Sequence, residues 1–309
     1  MTHPARTVAA IDCGTNSIKI LIGAFGDGPP QVLLRDSRVV RLGQGVDRTG
    51  VLADEALTRT FAALDELAEM IRRHGIPPER VRFCATSATR DASNAAVFRE
   101  GVRRRLGIEP EVLSGDEEAA LVFAGAMAAQ DPAPPEPVLV VDIGGGSTEL
   151  VLGEDGGRQA VSMDIGSVRL HERHLHSDPP TAAEVAACVA DIDAHLDASG
   201  IPLGRTRTAI GTSGTIKTLA CGVLDLPGYD RAAFDRAVLA NDATASFVDG
   251  LVAMTVAARR ALPYMHPGRA DVIGAGALIW TRILARVPVP EHVVSEADIL
   301  HGMAAAIGR

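Results

Sequence analysis

Aromatic side chains are scarce in this chain: one Trp, two Tyr and seven Phe make up 3% of its 309 residues. Its cores must therefore be packed by Ala, Val, Leu and Ile. Basic residues are in deficit too, 30 Lys and Arg against 39 Asp and Glu, which leaves a formal net charge of −9. That balance argues against nucleic acid or a membrane as a partner, since both are held by Lys and Arg neutralising phosphates. A polyanionic ligand would have to be met locally, by backbone amides, a few basic side chains and metal. The four cysteines, Cys13, Cys84, Cys188 and Cys221, are scattered without a C-x-x-C spacing. They read as buried thiols in a reducing cytosol, which favours neither a zinc site nor a disulfide framework. No apolar run reaches the ~18 residues of a spanning helix, and MTHPAR offers no apolar region ahead of the first strand. The expectation is a soluble, cytoplasmic protein.

What is abundant is small and apolar. Hydrophobic residues make 47% of the chain, more than one ordinary core needs, so two domains are expected. The organising stretch is VLVVDIGGGSTELVLG, Val138 to Gly153. Val138 to Val141 and Leu150 to Leu152 read as buried strands, short, β-branched or Leu-rich and bounded by turn residues. The glycines between them make a tight hairpin whose backbone N–H groups, with the Ser147 and Thr148 hydroxyls, can close on an anion. Asp142 at the end of the first strand would repel that anion, so a divalent cation is expected between them.

Sliding the stretch back by 130 positions lays Ile11 to Gly23, IDCGTNSIKILIG, on Val141 to Gly153. Asp12 falls on Asp142, Gly14 on Gly144 and Ser17 on Ser147. One such hairpin could be an ordinary turn in a core sheet. Two in equivalent settings imply a duplicated fold whose halves grip one ligand in a cleft.

The rest of the chain fits that plan. Gln31 to Leu42 reads as one or two strands, Asp54 to about His74 as a helix stopped by Gly75, and Val81 to Ala85 as a strand. TSATRDA follows, then a helix to about Leu106 and a strand near Pro110 to Leu113. Three antiparallel strands followed by alternating helices and parallel strands is the order of a ribonuclease-H-like α/β domain. Arg90, in TSATRDA, lies just past the carboxyl end of a strand, where open α/β sheets place ligands. It is either a structural arginine or a bidentate clamp on phosphate oxygens.

SGDEEAALVFAG opens a helix in which Ser114 and Glu117 form an S-x-x-E capping box. Glu118, one residue on and rotated by ~100°, is left to point elsewhere, either to solvent or into a site. Gln130 to Pro137 carries four prolines in eight residues and reads as a linker. In the second half, Arg158 to Asp164 is expected to be a strand and MDIGSVRLHERHL to lead into a helical segment. His171, His174 and His176 lie there, and solvated histidines are favoured over a metal site. Thr181 and Glu184 form another capping box on a helix that stops at Gly200. Thr206 to Ile210 is a strand running into GTSGTIKTLA, where Thr212, Ser213, Gly214 and Thr215 sit at a helix N-terminus. They form either a second anion cradle or a tight packing turn. Arg231 to Ala261 reads as helical, DVIGAGALIWTRIL as strand, glycine turn and helix, Val293 to Ser295 as a last strand and Asp298 to Ile307 as a terminal helix.

In this order, DCGTNSIK, TSATRDA, SGDEEA, VVDIGGGSTELV, GTSGTIK and VSEADILHG resemble the exopolyphosphatase and guanosine pentaphosphate phosphohydrolase family, in its short two-domain form. That family belongs to the superfamily of actin, sugar kinases and heat-shock ATPases. The resemblance implies two ribonuclease-H-like domains with an interdomain cleft. The expected bounds are 1–129, a linker at 130–137 and 138–296, with the C-terminal helix at 297–309 packing back on the first domain. It implies Glu118 as the group that activates the attacking water, and Asp12 and Asp142 as carboxylates holding Mg²⁺, or Mn²⁺ in its place. Asn16, Ser17, Gly144, Gly145, Gly146, Ser147 and the Thr212 to Thr215 loop would cradle phosphates, with Arg90 as a clamp. The terminal motif departs from the family, since DILHG stands where many members have an Arg-Glu pair, and Leu300 and His301 cannot supply it.

The expected activity is release of orthophosphate from the ends of inorganic polyphosphate, with removal of the terminal phosphate of guanosine pentaphosphate as the alternative. From other classes come an ATP-binding kinase-like protein and a non-catalytic polyphosphate sensor. A homodimer is expected only because symmetric dimers are common.

Overall fold

The computed structural model describes residues 5–308. They divide into two compact units. The first holds the described residues up to Ala128 together with those from Ile299 onward, and the second runs from Ala129 to Asp298.

The first unit is built on a five-stranded sheet. β1 (Arg6–Cys13), β2 (Ser17–Phe25) and β3 (Gln31–Val39) form an antiparallel meander, so Gln31 to Leu42 yields one strand rather than two. After a short helix, α1 (Val46–Thr49), the long α2 (Asp54–Arg73) buries Leu57, Leu64, Leu67 and Ile71, the one-sided stripe of its sequence. β4 (Val81–Ala85) pairs parallel to β1 on its other side, α3 (Ser87–Asp91) and α4 (Ala95–Leu106) follow, and β5 (Glu111–Val112) adds the parallel edge. The strand order is β3-β2-β1-β4-β5. Most of TSATRDA is thus a short helix. α5 (Gly115–Ala128) closes the continuous part of the unit.

The second unit repeats this plan. β6 (Val138–Ile143), β7 (Thr148–Glu154) and β8 (Gly157–Met163) are its meander. α6 (Ser167–His174) and α7 (Ala182–Ala198) follow, α7 opening with the Thr181–Glu184 capping box. β9 (Thr208–Gly211) pairs parallel to β6 and leads into α8 (Gly214–Val223). Next come α9 (Arg231–Phe234), β10 (Val238–Ala240), α10 (Asn241–Ala253), α11 (Val256–Arg260), α12 (Ile273–Leu284) and β11 (Glu291–Val294). The order β10-β11-β9-β6-β7-β8 contains the first sheet's order plus one antiparallel edge strand, β10. α13 (Ile299–Gly308) returns to the first unit, where it packs on α5, β1 and β2.

Two expectations are corrected. Residues 231–261, read as helical, contain β10, which exists because β11 offers it a partner 50 or so residues later in the chain. DVIGAGALIWTRIL contains no strand, and its glycines lie inside α12. Every residue from Ile273 to Trp280 is buried, so the helix has no polar face to betray its period. A Cβ on Gly276 would stand 2.9 Å from the Thr215 side chain and 3.1 Å from Ser167 Cβ, so the glycine admits two neighbouring helices.

Among the described residues no helix is long and apolar enough to cross a membrane, and all four cysteines are buried and unbridged. Burial pushes the Cys84 and Cys188 thiols up to about 12.

Candidate active site

In the first unit the site residues sit at the carboxyl ends of β1, β4 and β5, where parallel strands of an α/β sheet present ligand groups. Asp12 lies at the end of β1, buried, and accepts from Lys19 Nζ at 3.0 Å, because the β1–β2 register sets the two residues opposite each other. The turn Gly14 to Asn16 is closed by the Gly14 amide on Ser17 O at 3.0 Å. Thr15 O accepts from the Gly43 amide and Asn16 O from the amides of Val40 and Arg41. In a trans peptide the C=O of one residue and the N–H of the next point opposite ways. Anchoring the carbonyls of Thr15 and Asn16 to the fold therefore turns the amides of Asn16 and Ser17 away from it. Among the described residues the amides of Thr15 and Asn16 donate to no group of the chain, and Asn16 Oδ1 is a buried acceptor without a partner.

α3 and the start of α5 bring two further predicted residues together. Arg90 Nη1 donates to Leu113 O at 2.8 Å and reaches Glu118 Oε2 at 3.5 Å. Glu117 spends its carboxylate on the capping box: Oε2 accepts from the Ser114 amide and hydroxyl, both at 2.8 Å, while the Glu117 amide donates to Ser114 Oγ. The Ser114 amide bond holds the Glu117 carboxyl below the usual carboxylate range. Glu118, the next residue, is 8% exposed and points inward. Cys84, which pairs with Asp12 between β1 and β4, feels the negative charge of both Asp12 and Glu118, so the two carboxylates border one neighbourhood.

The second unit carries the same turn. The Gly144 amide closes it on Ser147 O at 2.9 Å, against 3.0 Å in the first copy. Gly144 O accepts from the Ser167 amide, Gly145 O from the amides of Val168 and Arg169, and Gly146 O from Arg169 Nε at 2.8 Å. The amides of Gly145 and Gly146 donate to no group of the chain among the described residues. Asp142 is buried at the end of β6. Directly opposite it on β7 stands Glu149, 1% exposed, accepting from Ser162 Oγ at 2.8 Å. Glu149 was missed from the sequence. The repeat that located Asp142 pairs Glu149 with a lysine, Lys19, and so pointed away from a second carboxylate.

The β9–α8 turn is used partly by the fold. Thr212 Oγ1 donates to Val141 O at 3.3 Å, and Ser213 Oγ caps α8 by accepting from the Ile216 amide. Thr215 is buried beneath Gly276. The hydroxyls expected to hold phosphate are thus tied to the fold at two of three positions. The amides of Gly214 and Thr215 donate to no group of the chain among the described residues, as at any open helix N-terminus. Ser213 adopts φ 25°, a strained value for a residue with a Cβ. Of the histidines read as solvated, His174 is half-buried and its Nε2 bonds Asp191 at 2.8 Å.

A doubled α/β fold with an aspartate-and-glycine turn in each half is the architecture of the phosphate-handling enzymes to which this sequence compares. The sequence model of the Ppx/GppA phosphatase family matches residues 21–306, and the chain belongs to that family. It is 44% identical over 315 aligned residues to Exopolyphosphatase 2 of Mycobacterium tuberculosis, covering 97% of this chain and 98% of the relative. It is 36% identical over 216 residues to a guanosine-5'-triphosphate,3'-diphosphate pyrophosphatase of Vibrio atlanticus, covering 68% of this chain and 42% of that one. Among solved structures, an exopolyphosphatase-like protein superimposes with a TM-score of 0.94 at 42% identity, over 99% of this chain and 98% of the other. An exopolyphosphatase from Cytophaga hutchinsonii gives 0.88 at 28% identity, over 98% and 100%.

Proposed function

We propose that this protein is an exopolyphosphatase, releasing orthophosphate from the ends of inorganic polyphosphate by attack of a water activated by Glu118. The observation that carries the reading is the matched pair of turns, whose carbonyls are bound by the fold while their amides are left for a ligand rich in acceptor oxygens. Phosphoryl transfer demands positioning and charge neutralisation more than covalent chemistry from the protein. The turns at Gly14 to Ser17 and Gly144 to Ser147, with the Gly214 and Thr215 amides, supply positioning. Arg90 supplies positive charge beside Glu118. Glu118 takes the proton of the water as its oxygen bonds to the terminal phosphorus and the anhydride P–O bond breaks.

A divalent cation fits the residues present. Asp142 and Glu149 are both buried and occupy opposed positions of the second hairpin, and in the first unit Asp12 is buried at the equivalent place. Mg²⁺ is commonly held by one or two carboxylates with waters and substrate oxygens completing its shell. When bound it would neutralise phosphate charge, with Asp142 and Asp12 as the proposed carboxylates; Mn²⁺ would serve in its place. A reducing compartment such as the cytoplasm suits the four free thiols.

Phosphate release from short polyphosphate, long polyphosphate, guanosine pentaphosphate and ATP, each with and without Mg²⁺, tests the reading. Polyphosphate is expected to be the best substrate. Faster release from guanosine pentaphosphate would transfer the activity to the nucleotide, faster ATP turnover would favour a kinase-like protein, and tight polyphosphate binding without release would make it a sensor.

A further inference from the structure

Three carbonyls of the second turn are locked, and they are not locked in the same way. Gly144 O and Gly145 O are taken by backbone amides of Ser167, Val168 and Arg169, at 2.9 to 3.1 Å, and the Ser167 hydroxyl adds a longer bond to Gly144 O at 3.3 Å. Gly146 O is taken by a side chain, Arg169 Nε at 2.8 Å. By peptide planarity each lock sets the direction of the next amide, so Gly144 O orients the Gly145 N–H, Gly145 O the Gly146 N–H, and Gly146 O the Ser147 N–H. The last is therefore aimed by Arg169. The chain leading into α6 also lies hard against the turn: a Cβ on Gly166 would stand 2.5 Å from the carbonyl carbon and oxygen of Gly145 and 2.7 Å from the Gly146 nitrogen. In the first unit the corresponding carbonyls, Thr15 O and Asn16 O, are held by the backbone amides of Gly43, Val40 and Arg41. In the second turn the Gly146 carbonyl is held by a side chain where the matching Asn16 carbonyl is held by backbone amides.

We propose that Arg169 is a positioning residue for substrate phosphate, acting through the Gly146 carbonyl to hold the Ser147 amide toward the anion, with Gly166 as the backbone contact that sets the height of the turn. The proposal rests on the phosphate-binding reading given above. It makes Arg169 a determinant of phosphate affinity.

The test uses the full chain with tripolyphosphate as the probe, and reads kcat, KM and the thermal unfolding temperature with and without the probe. Arg169→Gln is expected to raise KM about tenfold with kcat within about threefold, the pattern of lost binding rather than lost chemistry. Its unfolding temperature without the probe should stay near that of the wild type, while the rise produced by the probe shrinks. Arg169→Lys, which can still donate to a carbonyl, should recover part of the affinity. Gly166→Ala, whose methyl pushes on the Gly145–Gly146 peptide, should raise KM at least as far. A purely architectural role predicts a lower unfolding temperature with unchanged KM and an unchanged probe-induced rise, and that result overturns the proposal. If the wild type releases no phosphate from polyphosphate, the proposed activity falls on its own, because the probe-induced rise still reads the turn. If the wild type shows neither release nor a rise, both fall.

Discussion

Asp12 lies directly across the first hairpin from Lys19, and their side chains meet at 3.0 Å. The same two positions in the second hairpin hold Asp142 and Glu149. One copy of the repeat therefore pairs a carboxylate with an ammonium, and the other sets two carboxylates face to face. The copies match in backbone and differ in the residue set opposite the aspartate.

That asymmetry predicts unequal metal phenotypes. Asp142→Asn is expected to raise the Mg²⁺ concentration needed for half-maximal phosphate release by about tenfold or more, as loss of a ligand carboxylate does. Asp12→Asn removes the other proposed carboxylate, but one that Lys19 already holds at 3.0 Å, and should shift it less. A Mg²⁺ titration of the two variants decides the matter, and equal shifts would refute the asymmetry.

Glu117 and Glu118 are neighbours with opposite expected outcomes. Glu118→Gln should lower kcat by ~10² to 10⁴, the usual worth of general-base assistance, with the unfolding temperature nearly unchanged. Glu117→Ala breaks the capping box and should lower the unfolding temperature while leaving most turnover. Steady-state phosphate release and thermal melts on both variants make the comparison.

His292 is buried, bonded through Nδ1 to Asn241 Oδ1 at 2.9 Å and set edge-on to Trp280. Burial lowers its pKa from 6.5 to about 4. Between those values the unfolded chain binds a proton that the folded chain refuses. Its contribution is therefore full above pH 6.5 and is lost as the pH falls toward 4. Urea midpoints measured from pH 7 to pH 4 should fall more steeply for the wild type than for His292→Gln.

A second acid-labile element is the start of α7. The Thr181 amide, with the Thr181 and Ser177 hydroxyls and the His176 amide, holds Glu184 at about 2 against an ordinary 4.5. A depressed carboxylate stabilises the fold above its ordinary pKa, and the gain disappears as the pH drops from 4.5 toward 2. Glu184→Gln should flatten the stability profile in that window and leave it unaltered above.

Much of this was legible before any coordinates. The hairpins announced themselves as apolar runs broken by aspartate and glycine, and their shared spacing gave the doubled plan. The α5 capping box separated Glu117 from Glu118 on sequence alone, because its bonds are local. What stayed hidden depends on distant partners. β10 is a strand only because β11 pairs with it, and α12 is buried on every side, which erases the period that marks a helix. The bonds of the Thr212 and Ser213 hydroxyls to the fold were hidden too, because a hydroxyl's use by the fold is not written in its neighbours. Arg169 was visible among the histidines but without a role, since its partner is a backbone carbonyl 23 residues earlier.

Gly302 on α13 presses so closely on the Leu121 carbonyl of α5 that a methyl group there would collide with it. Leu300, Met303 and Ala304 of the same helix are wholly buried. During synthesis, residues 129–298 emerge as one uninterrupted block able to close its own interior. The helix bearing Glu118 must meanwhile wait, its apolar side uncovered, for a companion made almost two hundred residues later. The unit whose chain begins first is thus the unit that is closed last.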